Sequence, residues 1–272
     1  TYIECFQWFI APTDLAGNNP SPALAPHVIN NSWGCPVSEG CDAAASEVLR
    51  VVVESVRAAG IVVVASAGNE GSACSTVASP VAIYQASFTV GATNASDVLA
   101  SFSSRGPVTF DGSNRLKPTI SAPGVGVRSS VPGGTYTLLS GTSMAGPHVA
   151  GAAALLMSAY PALIGKPDLL QTRLERSAVP RTAAVNCGGT GTAAPNNEYG
   201  WGRLDVKAAY DAPFAKLDVD NNGVSEPSKD GVLIMRYLLG IRGSALTSGA
   251  IGVGARRTLA TDIETYLGTL LQ

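Results

Sequence analysis

Apolar residues between positions 28 and 65 are grouped in a way that predicts a strand, a helix and a second strand. Residues 28–33 form a short apolar run typical of a buried strand. In the following segment, 43–59, valines recur at every fourth position on one predicted helix face: Val48, Val52 and Val56. Gly60 ends this helix, as glycine commonly does after a helix C-terminus, and the β-branched run 61–65 predicts the second strand. A strand–helix–strand unit of this length implies parallel strands covered by helices.

The remaining pattern predicts one more strand and three more long helices, with a shorter one in the tail. The strand covers residues 88–92, and the helices cover residues 142–160, 168–177, 232–239 and 262–271. Residues 182–198 have the composition of a loop. The composition changes after Pro213. We therefore predict a three-layer α/β domain with a mostly parallel sheet over 1–211, and a small, mainly α module over 212–272.

Composition and charge exclude several classes of protein. The formal net charge is −2, which does not suit a phosphate-binding surface, so we expect no nucleic-acid partner. Hydrophobic residues make up 46% of the chain, enough for a core, which excludes global disorder. The longest branched-aliphatic run, residues 61–67, is far shorter than the ~20 apolar residues of a membrane span. Because only 14% of the residues are charged, against about 25% in ordinary domains, we expect a close-packed, secreted protein.

The first residue indicates whether the chain is a whole protein, and the cysteines indicate whether it is located in an oxidising compartment. The chain begins with Thr1 rather than Met, so we expect residues to be missing upstream. The five cysteines form no CxxC pairs, which weakens a zinc or thioredoxin-like hypothesis. In an exported protein two pairs can form and one cysteine remains: Cys35 with Cys41, Cys74 with Cys187, and Cys5 alone. Five reduced, buried thiols are the alternative.

The segment 140–151, Ser-Gly-Thr-Ser-Met-Ala-Gly-Pro-His-Val-Ala-Gly, is the most informative for chemistry. Gly141 allows a sharp turn, and Ser143 lies in the first turn of the predicted helix. Unpaired N–H groups and the positive end of the helix dipole point there toward a developing oxyanion. The arrangement suits a serine nucleophile in acyl transfer. From the residues alone, an ordinary helix N-cap is an equal alternative.

Segment 140–151 resembles the nucleophile motif of subtilisin-like serine peptidases, the subtilases. Further segments resemble motifs of that family in the same order: Val-Ile-Asn-Asn-Ser-Trp-Gly at 28–34, Ala-Ser-Ala-Gly-Asn-Glu-Gly at 65–71, two loops at 101–107 and 117–124, and Tyr-Gly-Trp-Gly-Arg-Leu-Asp at 199–205. The resemblance covers about residues 27–211 and implies a subtilisin-like fold and serine endopeptidase activity. The chain departs from the family at Thr119, where Asp is common, which puts one local hydrogen bond in doubt.

The resemblance implies roles for seven residues. Ser143 is the expected nucleophile, and the Asn69 side-chain amide with the Ser143 backbone N–H is the expected oxyanion hole. The others are expected to bind a polypeptide substrate, three as a strand that pairs with it and two as lining of the S1 pocket: Ser32, Trp33 and Gly34, then Ala67 and Gly68. A turn or helix cap is the alternative role for Asn69. No cofactor is expected for catalysis.

The chain lacks an evident general base for Ser143. It contains two histidines, and His148 lies five residues further along the same helix, rotated by about 140° from the serine. His27 precedes a strand, and Asp14 lies in a segment that matches the family's aspartate motif poorly. The family places its Asp and His before the serine, so we expect both upstream of this chain. The parent protein is then an active endopeptidase, and this chain alone is essentially inactive.

Residues 218–223, Asp-Val-Asp-Asn-Asn-Gly, have the opening pattern of an EF-hand-type Ca²⁺ loop and resemble a dockerin-like calcium repeat. Five residues are the expected ligands, Val224 through its carbonyl: Asp218, Asp220, Asn222, Val224 and Asp230. Position 12 of the loop is Lys229, so Asp230 serves only if the loop has one extra residue. A polar turn without metal is the alternative.

Two other classes of function compete with the peptidase. One is a catalytically silent subtilase-like scaffold or calcium-dependent docking protein, whose tail binds a cohesin-like partner. The other is an α/β-hydrolase esterase, which fits worse because Ala145 stands where the second glycine of the nucleophile elbow belongs. We expect a monomer that acts on polypeptides.

Overall fold

Four parallel strands form the central sheet of this computed structural model, which describes residues 2–188, 192–212 and 217–270. The strands are β1 (Val28–Asn31), β2 (Val62–Ser66), β3 (Phe88–Thr93) and β4 (Ile120–Pro123). They lie in the order β1-β2-β3-β4, and each pairs in parallel with the next. The α/β fold with a parallel sheet is therefore confirmed. β1 is an edge strand of the described sheet, since β2 is its one partner there.

Eight α-helices, three short 3-10 helices (Pro22–Leu24, Val37–Glu39 and Pro161–Leu163) and one hairpin complete the described part of the chain. The helices are α1 (Tyr2–Ile10), α2 (Ala43–Ala58), α3 (Thr142–Ala159), α4 (Pro167–Ser177), α5 (Val206–Asp211), α6 (Asp230–Leu238), α7 (Ser244–Thr247) and α8 (Ala260–Leu270). The hairpin consists of β5 (Val127–Val131) and β6 (Thr135–Leu139), which are antiparallel. Among the described residues, no helix is both long and apolar enough to cross a membrane.

Two apolar clusters cover the two faces of the sheet. Side chains alternate along a strand, so Val62 and Val64 of β2 face α3, whereas Val63 faces α2. Every residue of β2 and β3 is buried. This burial explains the near-continuous apolar runs that the sequence shows at these strands.

The buried face of α2 differs from the predicted one. Val56 is fully buried, but Val52 is half-buried and Val48 is 54% exposed. The residues that face the sheet are Leu49, Val53 and Val56. The prediction failed because a strict spacing of four drifts by about 40° per step around a helix of 3.6 residues per turn, whereas spacings of four and three keep to one face.

Gly60 ends α2 as predicted. Its φ of 89° is left-handed, and its N–H donates to the carbonyl of Arg57 while the N–H of Ile61 donates to that of Val56. These are the two bonds of a Schellman motif. A Cβ at Gly60 would also lie 2.8 Å from the Cα of Gly165.

The predicted elements agree with the observed ones to within two residues at most ends. The predicted helix end at Leu271 lies outside the described residues. Several observed elements were not predicted: α1, α5, α7, β4 and the β5–β6 hairpin. The hairpin escaped because all its residues are partly or fully exposed, which leaves no apolar alternation to recognise.

The carboxy-terminal residues have an apolar cluster of their own. Its buried members come from the loop before α6, from α6, α7 and α8, and from the residues just after α7: Val219, Leu233, Leu246, Ala250, Ile263 and Leu267. The same region also contacts the larger domain, because Val224 belongs to the cluster under α3 and Lys166 Nζ lies 3.1 Å from Glu226 Oε1. Arg256 lies over the ring of Tyr160, 4.1 Å from its centroid. The boundary at residue 212 stays a prediction, and residues 213–216 lie outside the described part.

Two disulfides are present, with the pairing that an exported protein allows: Cys35–Cys41 and Cys74–Cys187. Cys5 is free and exposed. The alternative of five reduced thiols is therefore not what the structure shows.

Candidate active site

The carboxyl ends of β1 and β2 meet the first turn of α3. Ser32 Oγ, just after β1, donates to the Ser143 carbonyl at 3.0 Å. Ser66 Oγ, at the end of β2, donates to the Thr142 carbonyl at 3.1 Å. These bonds hold the turn that carries Ser143 against two strands of the sheet, so the position of the serine is set by the core of the domain.

One N–H group at the start of α3 is left without a partner. The Thr142 N–H donates to Asn69 Oδ1 at 2.9 Å, and the Met144 N–H donates to the Gly141 carbonyl at 3.0 Å. Between them, the Ser143 N–H has no acceptor in the described part of the chain. It is therefore free to donate to an oxygen in front of the helix, where the helix dipole also favours negative charge.

The Asn69 side chain is oriented by the same turn. Its Oδ1 accepts from both the backbone N–H and the hydroxyl of Thr142, at 2.9 and 3.0 Å. Asn69 Nδ2 lies 3.6 Å from the position of a Cβ on Gly141, and the Ser143 backbone N lies 3.7 Å from the same position. Asn69 is exposed. The structure thus places a side-chain amide donor beside the free N–H of Ser143.

The predicted substrate-binding strand lies beside Ser143. Ser32 and Gly34 are exposed, and Trp33 is half-buried because its ring stacks on Tyr2, with centroids 4.1 Å apart. Asn30 Nδ2 donates to Ser32 Oγ at 2.8 Å and fixes that side chain. The segment therefore combines an accessible backbone with anchored side chains.

A cavity of about 480 Å³ opens between this strand and the Asn69 loop. Its lining is mostly apolar: Gly34, Cys35, Pro36, Val37, Cys41, Glu70, Thr76, Ala78, Ser79, Pro80 and Phe110. Of the two residues predicted to line an S1 pocket, Ala67 is buried and Gly68 half-buried, and neither belongs to this lining. The Cys35–Cys41 disulfide and Phe110 form walls that the sequence did not predict.

Both histidines and Asp14 lie in the described residues. The Nδ1 of His148 lies 2.9 Å from the Met144 carbonyl on its own helix, and the side chain is exposed. His27 lies at the amino end of β1, whereas Ser32 follows the carboxyl end of the same strand. Asp14 accepts hydrogen bonds from the N–H groups of Ala16 and Asn18 in its own turn. None of the three forms a hydrogen bond with Ser143 within the described residues.

Sequence reasoning missed two residues that hold the site together. Thr142 is fully buried, and its hydroxyl lies within 3.2 Å of both the N and the O of Gly68. Ser66 is 7% exposed. Thr142 lies in the segment 140–151 and Ser66 in the segment 65–71. In each case a hydroxyl residue in an otherwise apolar, buried segment was the feature of the sequence that could have indicated the role.

The carboxy-terminal acidic loop brings three predicted ligands together. Carboxylate oxygens of Asp218, Asp220 and Asp230 lie within 4.8 Å of one another, and all three residues are buried. Burial raises the pKa of Asp218 to about 6, and the charges of Asp230 and Asp220 contribute to the shift. Within the described residues no Lys or Arg forms an ion pair with any of them.

Other features of the loop also bear on a cation. Asn222 is fully buried, and its Nδ2 has no hydrogen-bond partner, while its Oδ1 accepts from the Val224 N–H at 2.8 Å. Asp230 bonds back to the loop, accepting from the N–H groups of Val219 and Glu226, both at 2.7 Å. Lys229, at position 12, points away and donates to the Gly249 carbonyl. Buried, unbalanced carboxylates with oxygen-only chemistry fit a hard divalent cation such as Ca²⁺.

Comparison with known proteins agrees with this geometry. The model of the Subtilase family (peptidase S8) matches residues 13–202. Bacillopeptidase F of Bacillus subtilis is 41% identical over 234 residues, which is 84% of this chain and 15% of that protein. Subtilisin E of the same organism is 44% identical over 158 residues, 57% of this chain and 36% of that protein. The chain thus spans well under half the length of these relatives.

A solved structure is similar as well. A serine-to-alanine mutant of the protease domain of PatA superposes with a TM-score of 0.51 at 29% identity, covering 69% of this chain and 59% of that one. A family match over most of the chain, an α/β fold with a parallel sheet, and a serine at the start of α3 lead to one conclusion. The chain belongs to the Subtilase family of serine peptidases.

Proposed function

We propose that Ser143 is the nucleophile of a serine endopeptidase and attacks a peptide carbonyl to form an acyl-enzyme. The observation that carries this proposal is the pair of free donors, the Ser143 N–H and Asn69 Nδ2, at the positive end of α3. Such a pair binds the oxyanion of a tetrahedral intermediate. Removing one oxyanion-hole donor costs about 10²–10³ in kcat, a magnitude measured in subtilisin itself.

The exposed segment 32–34 is the proposed site for the substrate backbone, which would pair with it as an added strand. The cavity beside Gly34 would take the substrate side chain that precedes the scissile bond. Its mostly apolar lining, with Phe110 and a disulfide as walls, supports an apolar side chain there. Ala67 and Gly68 do not line this cavity; their proposed role is to hold the loop that carries Asn69.

The general base and its orienting acid are proposed to lie in polypeptide outside this sequence. The support is that neither His27 nor His148 forms a hydrogen bond with Ser143 within the described residues. β1 has an unpaired edge within the described sheet, next to Ser32 and Ser143, where further strands can add. Without a histidine that accepts the Ser143 proton, the chain keeps only the rate enhancement that comes from the oxyanion hole and from substrate binding. In subtilisin that loss is on the order of 10⁶-fold in kcat.

A fluorophosphonate that modifies activated serines tests this proposal. In the full-length parent protein, the probe should modify Ser143, and Ser143→Ala should abolish the modification. The 272-residue chain should react slowly, at a rate near that of an ordinary serine. Fast modification of the isolated chain would overturn the assignment of the base to other polypeptide, and no modification of Ser143 in the parent would overturn the peptidase itself.

We also propose that the carboxy-terminal loop binds Ca²⁺ through Asp218, Asp220 and Asn222, with Asp230 close by and the Val224 carbonyl as a further ligand. The support is the convergence of three buried carboxylates that form no ion pair within the described residues. The ion would neutralise their mutual repulsion and tie the loop to α6. It takes no part in the peptidase chemistry.

A second candidate function is docking through the carboxy-terminal module. Three large apolar side chains at the end of α6 are more than 60% exposed: Met235, Leu238 and Leu239. Such a patch suits a cohesin-like partner. A pull-down tests this function: replacing the exposed apolar residues of the module by Gln should abolish partner binding. A catalytically silent scaffold should still bind the partner as the Ser143→Ala variant, and its Ser143 should show no reactivity.

Export is proposed on the disulfides. Bridges such as Cys35–Cys41 and Cys74–Cys187 persist in oxidising compartments and are rare in the cytosol. Mass spectrometry of the protein from culture medium, with and without reduction, would detect both.

A further inference from the structure

The loop that carries Asn69 is fastened to the segment 102–104 on the side away from α3. The Ser104 N–H donates to the Gly68 carbonyl at 3.0 Å, and the Glu70 N–H donates to Ser104 Oγ at 3.1 Å. One residue further on, the Gly71 N–H donates to the Phe102 carbonyl at 2.9 Å. The backbone on both sides of Asn69 is therefore held by one short segment of chain.

The Ser104 hydroxyl also holds the side chain of Glu70. It donates to Glu70 Oε2 at 2.6 Å, so the carboxylate folds back beneath Gly68. A Cβ on Gly68 would lie 2.2 Å from Glu70 Oε2 and 2.8 Å from Ser104 Oγ. Gly68 also has a φ of 107°, which other residues rarely adopt. The space under Gly68 is filled by this pair, and the loop has no room to collapse into it.

We propose that Ser104, together with Glu70, is a positioning residue for Asn69 in the oxyanion hole. The inference rests on the proposed function of Asn69. Thr142 orients the end of the Asn69 side chain, but Asn69 is exposed and its backbone has to be held from elsewhere. Ser104 is fully buried and supplies that hold. Because an oxyanion donor misplaced by about 1 Å can cost 10²-fold in rate, loosening the loop lowers kcat without touching the substrate.

The neighbouring residue is a matched control. Ser103 is also fully buried and also uses its hydroxyl, but Ser103 Oγ accepts from the Ala92 N–H of β3 at 3.0 Å. It makes no hydrogen bond to the Asn69 loop in the described structure. Ser103→Ala and Ser104→Ala therefore remove the same group from the same segment, and only Ser104→Ala loosens Asn69.

The experiment is a double-mutant cycle on the 272-residue chain. The measurement is the slow hydrolysis of an N-acylated peptide p-nitrophenyl ester with an apolar residue before the ester, which depends on the oxyanion hole alone. Asn69→Ala should lower kcat about 10²-fold, Ser104→Ala about tenfold with KM unchanged, and Ser103→Ala by less than twofold. In the Asn69→Ala background, Ser104→Ala should have no further effect, because its action passes through Asn69.

The cycle distinguishes a failure of the proposed oxyanion hole from a failure of the proposed role of Ser104. If Asn69→Ala leaves the hydrolysis unchanged, the proposed oxyanion hole is wrong and the role of Ser104 with it. If Asn69 matters but Ser104→Ala matches Ser103→Ala, or if its effect persists without Asn69, the positioning role alone is overturned. Thermal melts of both serine variants correct for any loss of folded protein.

Glu70 provides a second, independent measurement. Glu70→Gln keeps an oxygen that accepts from the Ser104 hydroxyl, so its kcat should stay well above that of Glu70→Ala. Glu70→Ala removes the acceptor and should lower kcat as Ser104→Ala does. Equal rates in Glu70→Ala and Glu70→Gln would contradict the proposal.

Discussion

Lys117 is a buried lysine without a carboxylate partner in direct contact. It is 2% exposed, and its Nζ donates to the Ser87 carbonyl at 2.7 Å and lies 3.4 Å from Thr119 Oγ1. Thr119 is the position where the family commonly has Asp. Its hydroxyl oxygen also accepts from the Thr89 N–H at 3.2 Å, so a local hydrogen bond is kept while the negative charge is lost.

Burial, together with the charges of Arg115 and Arg57, lowers the pKa of the Lys117 ammonium from its ordinary 10.5 to about 7, and the charge of Glu175 opposes the shift. Between these two values the unfolded chain binds more protons than the folded one. The free energy of unfolding should therefore rise as the pH increases from about 7 to 10.5. Lys117→Met should remove this rise and be most stabilising, relative to the native chain, below pH 7.

Urea unfolding at pH 6, 8 and 10 measures this effect. The exposed lysine variant Lys207→Met is the control and should leave the pH dependence over that range unchanged. Parallel profiles for the native chain and Lys117→Met would show that the buried amine is not responsible.

At the scale of single elements, the buried face of α2 is shifted by one residue from the predicted one, and this shift decides which side chains stabilise the fold. Leu49 is 3% exposed and packs under the sheet, whereas its neighbour Val48 is 54% exposed. Leu49→Ala should cost about 2–5 kcal/mol of unfolding free energy because it leaves a cavity. Val48→Ala should change it by less than about 0.5 kcal/mol. Urea denaturation of the two variants compares them directly, and equal losses would mean that α2 packs on the predicted valine face.

The acidic loop before α6 makes a prediction about metal. Calcium at about 100 times its Kd should add about 2.7 kcal/mol to the folded state, so the melting temperature should be higher in millimolar calcium than in chelator. Asp218→Asn should abolish the difference. Asp262→Asn, which changes an exposed carboxylate at the start of α8, should preserve it. A melt that is the same in calcium and chelator would count against the site.

At the scale of the whole molecule, the two disulfides close loops of very different length. Cys74–Cys187 joins residues 113 positions apart, and Cys35–Cys41 joins residues 6 apart. A crosslink stabilises by restricting the unfolded chain, by about 5 kcal/mol for the longer loop and about 2 kcal/mol for the shorter one. The double variant Cys74→Ser/Cys187→Ser should therefore lower the melting temperature more than Cys35→Ser/Cys41→Ser.

The short disulfide is expected to matter in another way. It forms a wall of the cavity beside Gly34, so its loss should weaken binding of peptides with an apolar side chain at that position and lower the melting temperature by less than loss of the long disulfide does. A larger thermal effect from the short disulfide than from the long one would contradict the loop-length account.

Much of the fold followed from local patterns in the sequence. Strands β2 and β3 read as apolar runs because both of their faces are covered, and Gly60 ended α2 because the left-handed conformation is a local property. The position of Ser143 in the first turn of α3 was likewise predictable from Gly141 and the Ala-rich helix that follows. Such features depend on residues within a few positions of one another.

The tertiary structure alone decided what lies beside what. Asn69 meets Thr142 across 73 positions, Cys74 meets Cys187 across 113, and Ser104 fastens the Asn69 loop across 34. No periodicity records such contacts, because they depend on how strands and helices pack after they have formed. The sequence by itself determined the elements and the chemical groups that they carry. Packing decided which donors remain free at Ser143 and which side chains orient them.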